Sequence, residues 1–358
     1  MSFAFGPVTS PAAPVKSAGG TSHPLAIIAR WAPAFGWLLL ALLLAVPVFG
    51  SSRYLVYLGT LIALQAALAT SLNIVIGYAG QFAMSHAAFY GFGAYASALL
   101  VTSFGLDFWI AVPVAMVMAA AVAAFIGYPA LRYTGGVHLA LITFAFGELA
   151  RLVAANWHTV TGGPMGMRVA YAPSPLFGFE FSTARGLYWL AVGMLLVTLA
   201  VVFCIQRSRF GRALVAVRED ETLASFLGIN VMGHKLAAYV LSSMLAAMVG
   251  TAYAPVMSFI SPDLLNAHET ISLIGVLILG GVGTIAGPII GTLVFFGIPE
   301  LLRMARLYRL VILGAVIVLV VLFMPQGIAG LIKQRLERWK RGAGRAAGAR
   351  SSQDAKQP

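Results

Sequence analysis

Ten apolar runs divide the chain, at about residues 34–50, 54–76, 84–103, 108–130, 137–155, 187–206, 236–258, 269–282, 286–301 and 308–324. A membrane-spanning helix needs roughly 20 predominantly apolar residues, and several runs reach that length. Backbone inside hydrocarbon must satisfy its own hydrogen bonds, which leaves helix or closed barrel. None of these runs alternates as a barrel strand does. The expected fold is therefore an all-α polytopic membrane protein of about ten transmembrane segments. Composition agrees, with 60% apolar and 9% charged residues against roughly 25% charged in a soluble domain. The mean hydropathy is +0.91, and a water-soluble enzyme is excluded.

Three runs are short or broken. Segments 269–282 and 286–301 are separated by Gly280-Gly281-Val282-Gly283, with Gly287-Pro288 following, and segment 84–103 opens after Gly77-Tyr78-Ala79-Gly80-Gln81. Short or glycine-interrupted helices at matching places in two halves mark a transporter built from repeats around a central path. Gly91-Phe-Gly93-Ala-Tyr-Ala96 and Gly281-Val-Gly283-Thr-Ile-Ala286 share a small pattern. It reads equally as an internal pseudo-repeat and as chance in a chain with 38 glycines. Gly80, Gln81, Ser85, His86, Gly281 and Gly283 are the candidate translocation path, His86 reading equally as a hydrogen-bonded packing residue. Gly283, Gly287 and Gly291 recur every four residues, the spacing that lets helix backbones approach closely, within the chain or against a second permease.

Basic residues set the orientation, because cytoplasmic loops of membrane proteins are enriched in Lys and Arg. With an even number of spans, sixteen basic residues share the side of the two tails and six lie opposite, so both termini are expected to be cytoplasmic. Arg303, Arg306 and Arg309 run against this rule and suggest a re-entrant segment nearby. The organisation is then a cytoplasmic tail over residues 1–33, a permease domain over 34–328 and a basic cytoplasmic tail over 329–358. Residues 156–185 form the long external loop and 207–235 the one sizeable internal loop. Residues 331–341 read as a basic interfacial helix at anionic lipid. The Pro/Ala/Gly/Ser-rich start does not read as a cleavable signal, and the single cysteine, Cys204, allows no internal disulfide. The net charge of +12 belongs to this topology rather than to nucleic-acid binding.

Catalytic chemistry is missing from the pattern. No phosphate-cradling Gly-x4-Gly-Lys-Ser/Thr loop occurs, and the Gly-x-Gly-x-x-Ala matches lack the strand and acidic residue of a dinucleotide site. No metal-ligand or nucleophile spacing is present, so no catalytic residue, metal or resident cofactor is expected. Two charged features stand out. Glu148 and Arg151 lie three apart on one helix face within a span, where charges are costly; they read as a structural ion pair sooner than a substrate contact. The internal loop is about thirty residues long where a handful suffices, and Leu214, Val217, Glu221, Ala224 and Phe226–Leu227 have helical spacing. Two short helices meeting near Arg218, Glu219, Asp220 and Glu221, the second closed by Gly228, would turn charges to solvent and a small apolar face to a cytoplasmic partner.

Three ordered stretches carry a resemblance: Leu72-Asn-Ile-Val-Ile-Gly-Tyr-Ala-Gly-Gln-Phe-Ala-Met-Ser-His-Ala-Ala-Phe-Tyr-Gly-Phe-Gly-Ala-Tyr95; Gly211-Arg-Ala-Leu-Val-Ala-Val-Arg-Glu-Asp-Glu221 running on to Leu227-Gly-Ile-Asn230; and Ile260-Ser-Pro262 with Leu279-Gly-Gly-Val-Gly-Thr-Ile-Ala-Gly-Pro-Ile-Ile-Gly291 and Pro299-Glu300. Over about residues 54–330 the chain resembles the LivM-type permease subunit of branched-chain amino-acid ABC importers. The resemblance implies a bacterial inner-membrane subunit paired with a LivH-type permease, two cytoplasmic ATPases that carry ATP and Mg, and a periplasmic substrate-binding protein. It makes the stretch from Arg218 through Ala224 to Gly228 the ATPase-docking loop, although Thr222-Leu-Ala before Ser225-Phe-Leu-Gly departs from the general importer signature. Phe82-Ala-Met84 also departs from the family at the first break. Substrates implied are branched-chain or related hydrophobic amino acids, with urea, short amides and aromatic or dicarboxylic compounds among relatives. The rival class is a self-contained secondary transporter or channel in which Glu148, Arg151 and His86 carry coupling or selectivity.

Overall fold

The computed structural model describes residues 53–133, 137–175, 178, 180–297, 314 and 327. The runs 34–50 and 308–324, the 303–309 cluster, the 331–341 segment and both tails lie outside the described residues.

Within them the chain is helical. α1 is Arg53–Asn73, extended by a π-helical turn at Ile74–Tyr78; α2 is His86–Thr102, α3 Phe108–Tyr133, α4 Val137–Asn156 and α5 His158–Thr161. α6 is Ala184–Arg207, α7 Arg209–Glu219, α8 Glu221–Phe226, α9 Val231–Met257, α10 Ala267–Gly280 and α11 Gly287–Thr292. Two-residue strands β1, Met167–Arg168, and β2, Phe259–Ile260, pair antiparallel. Among the described residues five helices are long and apolar enough to cross a membrane: Arg53–Tyr78, Phe108–Tyr133, His138–Asn156, Ala184–Arg207 and Val231–Met257. α2 and α10 fall short of that length, as their glycine-flanked runs predict, while α11 continues through a π-helical turn to Gly297, where this described stretch ends.

Lipid tails are as apolar as leucine, so helices in a bilayer associate by close packing and interhelical hydrogen bonds instead of by escape from water. The packing follows. α9 lies against α2 and α3, and α1 against α6 and α9. α1 is alanine-rich where it is covered, with Ala63, Ala66, Ala67 and Ala69 buried. Gly93 of α2 rests on the backbone of Ala247, while Gly250 of α9 rests on Tyr90 and Ala94. Neither position has room for a methyl group. α3 and α4 instead turn large apolar side chains outward, among them Phe125, Val117, Leu141 and Leu149, as helices facing lipid or another membrane subunit do.

The pattern shared by Gly91–Ala96 and Gly281–Ala286 does not mark equivalent places. The first lies inside α2, where Gly91 and Gly93 admit Leu265 and Ala247; the second is a turn with Gly281 at φ 114° and Gly283 at φ 77°. The same letters serve close approach in one place and a left-handed backbone in the other, so they give no support to a repeat.

On one face of the molecule the β1–β2 ladder ties the 156–185 loop to the end of α9. Ser174 Oγ donates to Asp107 Oδ1 (2.5 Å) and Trp109 Nε1 donates to the Ser174 carbonyl (3.0 Å), fixing the loop to the start of α3. Thr183 caps α6 by accepting from the Gly186 N–H (3.1 Å).

Gly93→Val should lower the melting temperature of the purified protein in detergent and its folded yield. Overpacking a closed contact costs about 1–3 kcal/mol, whereas Gly193→Val on α6, where a side chain meets nothing within 4 Å, should leave both unchanged.

Candidate functional site: two helix breaks and the loop that meets them

At the end of α1 the helix widens into its π turn, with the Ala79 N–H donating to the Ile74 carbonyl (3.1 Å) and the Gln81 N–H to Val75 (3.0 Å). The chain then leaves helical geometry, turning at Gly80 with φ 68°, and starts α2 at His86. Broken backbone at membrane depth survives only where protein satisfies it. Here two threonines bond its backbone N–H groups, and side chains of two further helices hold its Ser85 and His86 side chains. Thr143 of α4 accepts from the Met84 N–H (3.0 Å) and Thr270 of α10 from the Ala87 N–H (3.0 Å). Tyr239 of α9 shares a hydrogen bond with Ser85 (2.7 Å), and Ser71 of α1 one with His86 Nε2 (2.9 Å). The His86 ring also lies 3.2 Å from the Leu68 carbonyl. Buried and bonded in this way, His86 has the surroundings of a packing residue.

The second break is the turn between α10 and α11. Asn73 holds it at two points: its Nδ2 donates to the Thr284 carbonyl (2.9 Å) and its Oδ1 accepts from the Gly283 N–H (2.8 Å). Thr284 Oγ1 donates to Gly281 (2.8 Å) and accepts from the Gly287 N–H (3.0 Å). The two breaks touch, since a methyl on Gly77 would lie 2.7 Å from the Gly283 nitrogen. Gly287 and Gly291 press α11 onto the backbone of α10 at Gly281 and Val276, so this spacing serves packing within the chain. Gly283 belongs to the junction instead.

The loop 207–235 folds as the two short helices its spacing predicts. Ser208 caps α7 by accepting from the Gly211 N–H (3.0 Å), and Asp220 caps α8 by accepting from Thr222 (2.8 Å) and Leu223 (2.9 Å). Gly228, at φ 79°, follows the end of α8. The apolar positions divide between two directions. Leu214, Val217 and Ala224 are buried, whereas Leu223, Phe226 (82% exposed) and Leu227 (71% exposed) face outward. Glu219, Asp220 and Glu221 are exposed, with Glu221 paired to Lys235.

Arg218 joins the loop to both breaks. The residue as a whole is exposed, but its Nη1 donates to the Gly77 carbonyl. Its stem lies over Gly80, where a Cβ would come 2.7 Å from Arg218 Cγ, and its Nη1 would be 2.9 Å from a Cβ on Gly283. Glycine at 77, 80 and 283 is what lets one guanidinium reach this junction.

The structure thus gathers Gly80, Ser85, His86, Gly281 and Gly283 with Arg218 in a connected region. Gln81 is buried there, and neither atom of its amide has a partner among the described residues. Glu148 and Arg151 stand apart, joined on α4 by a 2.8 Å ion pair. Asn73, Thr143, Tyr239 and Thr270 have no signature beyond being single polar residues in apolar runs, and the sequence reading passes over them. It also passes over Gln65 and Glu269, bonded across α1 and α10 at 2.7 Å. Among the described residues no three His, Cys, Asp or Glu side chains gather as a metal site.

Residues 54–321 match the model of a family described as branched-chain amino acid transport system / permease component. The chain belongs to this family. It is 34% identical over 323 residues to the high-affinity branched-chain amino acid transport system permease protein LivM of Escherichia coli K12, covering 84% of this chain and 75% of that one. It is 28% identical over 291 residues to LivH of the same organism, 76% of this chain and 92% of that one. The autoinducer 2 import system permease protein LsrC of Enterobacter sp. strain 638 is 27% identical over 202 residues, 54% of this chain and 57% of that one. No solved structure matches. The LivM-type resemblance of the three motifs is upheld, and the chain is a multi-pass membrane permease, a transporter subunit and not an enzyme.

Within this permease, Asn73→Ala leaves the Gly283 N–H and the Thr284 carbonyl without their clamp. A buried polar group deprived of its partner costs about 1–3 kcal/mol. The variant should melt at a clearly lower temperature in detergent, with Asn73→Asp, which keeps the acceptor, lying between it and the parent.

Proposed function

We propose that this chain is the transmembrane permease subunit of an ATP-driven, binding-protein-dependent importer of branched-chain or related hydrophobic amino acids. In this reading it sits in the bacterial inner membrane with both termini in the cytoplasm. It pairs with a LivH-type permease, and ATP and Mg are held on two cytoplasmic ATPases. A periplasmic binding protein delivers substrate to the face that carries the 156–185 loop. The observation that carries the mechanism is the two-sided docking loop. Leu223, Phe226 and Leu227 form an outward apolar face, suited to a groove on an ATPase, while Arg218 on the preceding helix holds the Gly77 carbonyl at the meeting of the breaks.

Closure of the ATPases around nucleotide would push on α7 and α8 as one body. Arg218 carries that displacement to the ends of α1 and α10, and the family names of the relatives support the transport class. A ligand or nucleotide shifts such an equilibrium only by its differential affinity for the two states. Tight substrate binding by the membrane part is therefore unnecessary. The chain itself makes and breaks no bond.

Phe226→Asp should abolish coupled uptake by weakening ATPase association while leaving the permease folded, since Phe226 is 82% exposed. Full co-purification of the ATPases with this variant, together with normal uptake, would remove the docking assignment. The transport class is tested by uptake of labelled leucine with and without this chain, comparing ATP depletion with proton uncoupling. ATP-dependent, uncoupler-resistant uptake that vanishes on deletion is expected. Unchanged leucine uptake in cells lacking parallel systems would move the substrate to urea, amides or aromatic acids. Collapse with the proton gradient alone would make the protein a secondary transporter.

A further inference from the structure

Midway along the span Arg53–Tyr78, α10 begins beside α1 and places a carboxylate at that depth. Glu269 lies in the first turn of α10. Gln65 of α1 donates through Nε2 to Glu269 Oε1 (2.7 Å). The other half of that amide, Gln65 Oε1, is buried with no partner among the described residues. Among the described residues no Lys or Arg forms an ion pair with Glu269; the ion pairs there are Arg151–Glu148 and Lys235–Glu221. A carboxylate inside a span is costly, and such residues pair with one another, face a water-filled cavity or mark a substrate pathway. A glutamate in a first helical turn also offsets the helix dipole. That role explains an acidic residue in this turn but not the unpartnered Gln65 oxygen beside it.

The surroundings supply the rest of a recognition site. Tyr90 and Tyr253 stack edge to face with ring centroids 5.3 Å apart, Tyr90 fully buried and Tyr253 half-buried. Glu269 and Tyr253 are only half-buried, so the carboxylate is accessible. An amide oxygen without a partner and a half-buried carboxylate without a basic one, among the described residues, complement one ligand chemistry. An organic ammonium presents three N–H donors and a positive charge, and tyrosine faces attract cations.

We propose that Glu269 and Gln65 form the subsite that receives the α-ammonium group of the transported amino acid as it passes the middle of the membrane. The inference rests on the amino-acid import reading above and adds to it a specificity-determining residue. Glu269 holds the ammonium group by charge, and Gln65 fixes the carboxylate's orientation and has an amide oxygen left to accept. Substrates lacking a cationic nitrogen lose this station.

The test uses the complete complex with its partner subunits and loaded binding protein in proteoliposomes. Labelled leucine and its des-amino analogue 4-methylpentanoate are compared for the parent, Glu269→Gln and Glu269→Asp. Glu269→Gln should lower leucine import roughly 10- to 100-fold, as expected for removing a charge from a desolvated pair, and Glu269→Asp should retain an intermediate rate. Leucine import by Glu269→Gln at the parental rate would overturn the subsite while leaving the importer reading intact. Absence of leucine import by the parent would overturn both, and that failure appears before any variant is made. Should Glu269→Gln not assemble on size exclusion, the parent answers through labelling of Glu269 by dicyclohexylcarbodiimide, mapped by mass spectrometry. Leucine should slow that labelling and 4-methylpentanoate should not; equal labelling with and without leucine would overturn the subsite.

Discussion

A peptide group in hydrocarbon has no water to turn to, so every departure from helical hydrogen bonding inside a membrane protein must be met by another part of the same protein. Among the described residues two such departures, at residues 79–85 and 281–286, are placed against each other. The polar side chains that meet them come from α1, α4, α9 and α10. The helices that appear to be separate apolar rods are therefore held in register by a small number of threonine, serine, asparagine and tyrosine contacts at one depth. Those contacts decide where α2 begins and how the chain turns after α10, and through them where Arg218 finds a free carbonyl.

Close packing does the remaining work. With no hydrophobic gain from bringing helices together in lipid, contact area and shape are what remain, which is why glycine and alanine crowd the buried faces of α1, α2 and α9 while α3 and α4 keep their bulky residues outside. This division separates the part of the permease that must stay fitted from the part that meets lipid or another subunit.

Most of the architecture is legible in the sequence because its signals are local. Apolar run lengths give the spans, glycine clusters give the interruptions, and the i,i+3 spacing of Glu148 and Arg151 gives their ion pair. The loop helices follow from apolar spacing bracketed by Asp220 and Gly228. The site is less legible because its interactions are remote. Asn73 and Gly283 are 210 residues apart, and Gln65 and Glu269 are 204 apart, so nothing in the neighbourhood of any one of them announces its partner. Glycine is ambiguous in another way. It serves both where two backbones must nearly touch, as at Gly93, and where φ must be positive, as at Gly283, and a repeated glycine pattern cannot distinguish them. Arg218 carries a third lesson: an arginine in a charged loop reads as solvated, yet its stem lies over Gly80 and its tip engages the Gly77 carbonyl.

The longest described helix has a mechanical consequence. α9 runs unbroken from Val231 to Met257, roughly 40 Å at 1.5 Å per residue. Its first turn follows directly on the docking helices, and its last is followed by the β2 strand that grips the opposite loop. A stiff rod anchored at both ends and fitted tightly to α2 in its second half, where Gly250 meets Tyr90 and Ala94, would act as a lever about that contact. Swing at one end is returned at the other in the reverse sense. In the importer reading proposed above, opening on one side of the membrane would be geared to closing on the other by a single piece of covalent chain.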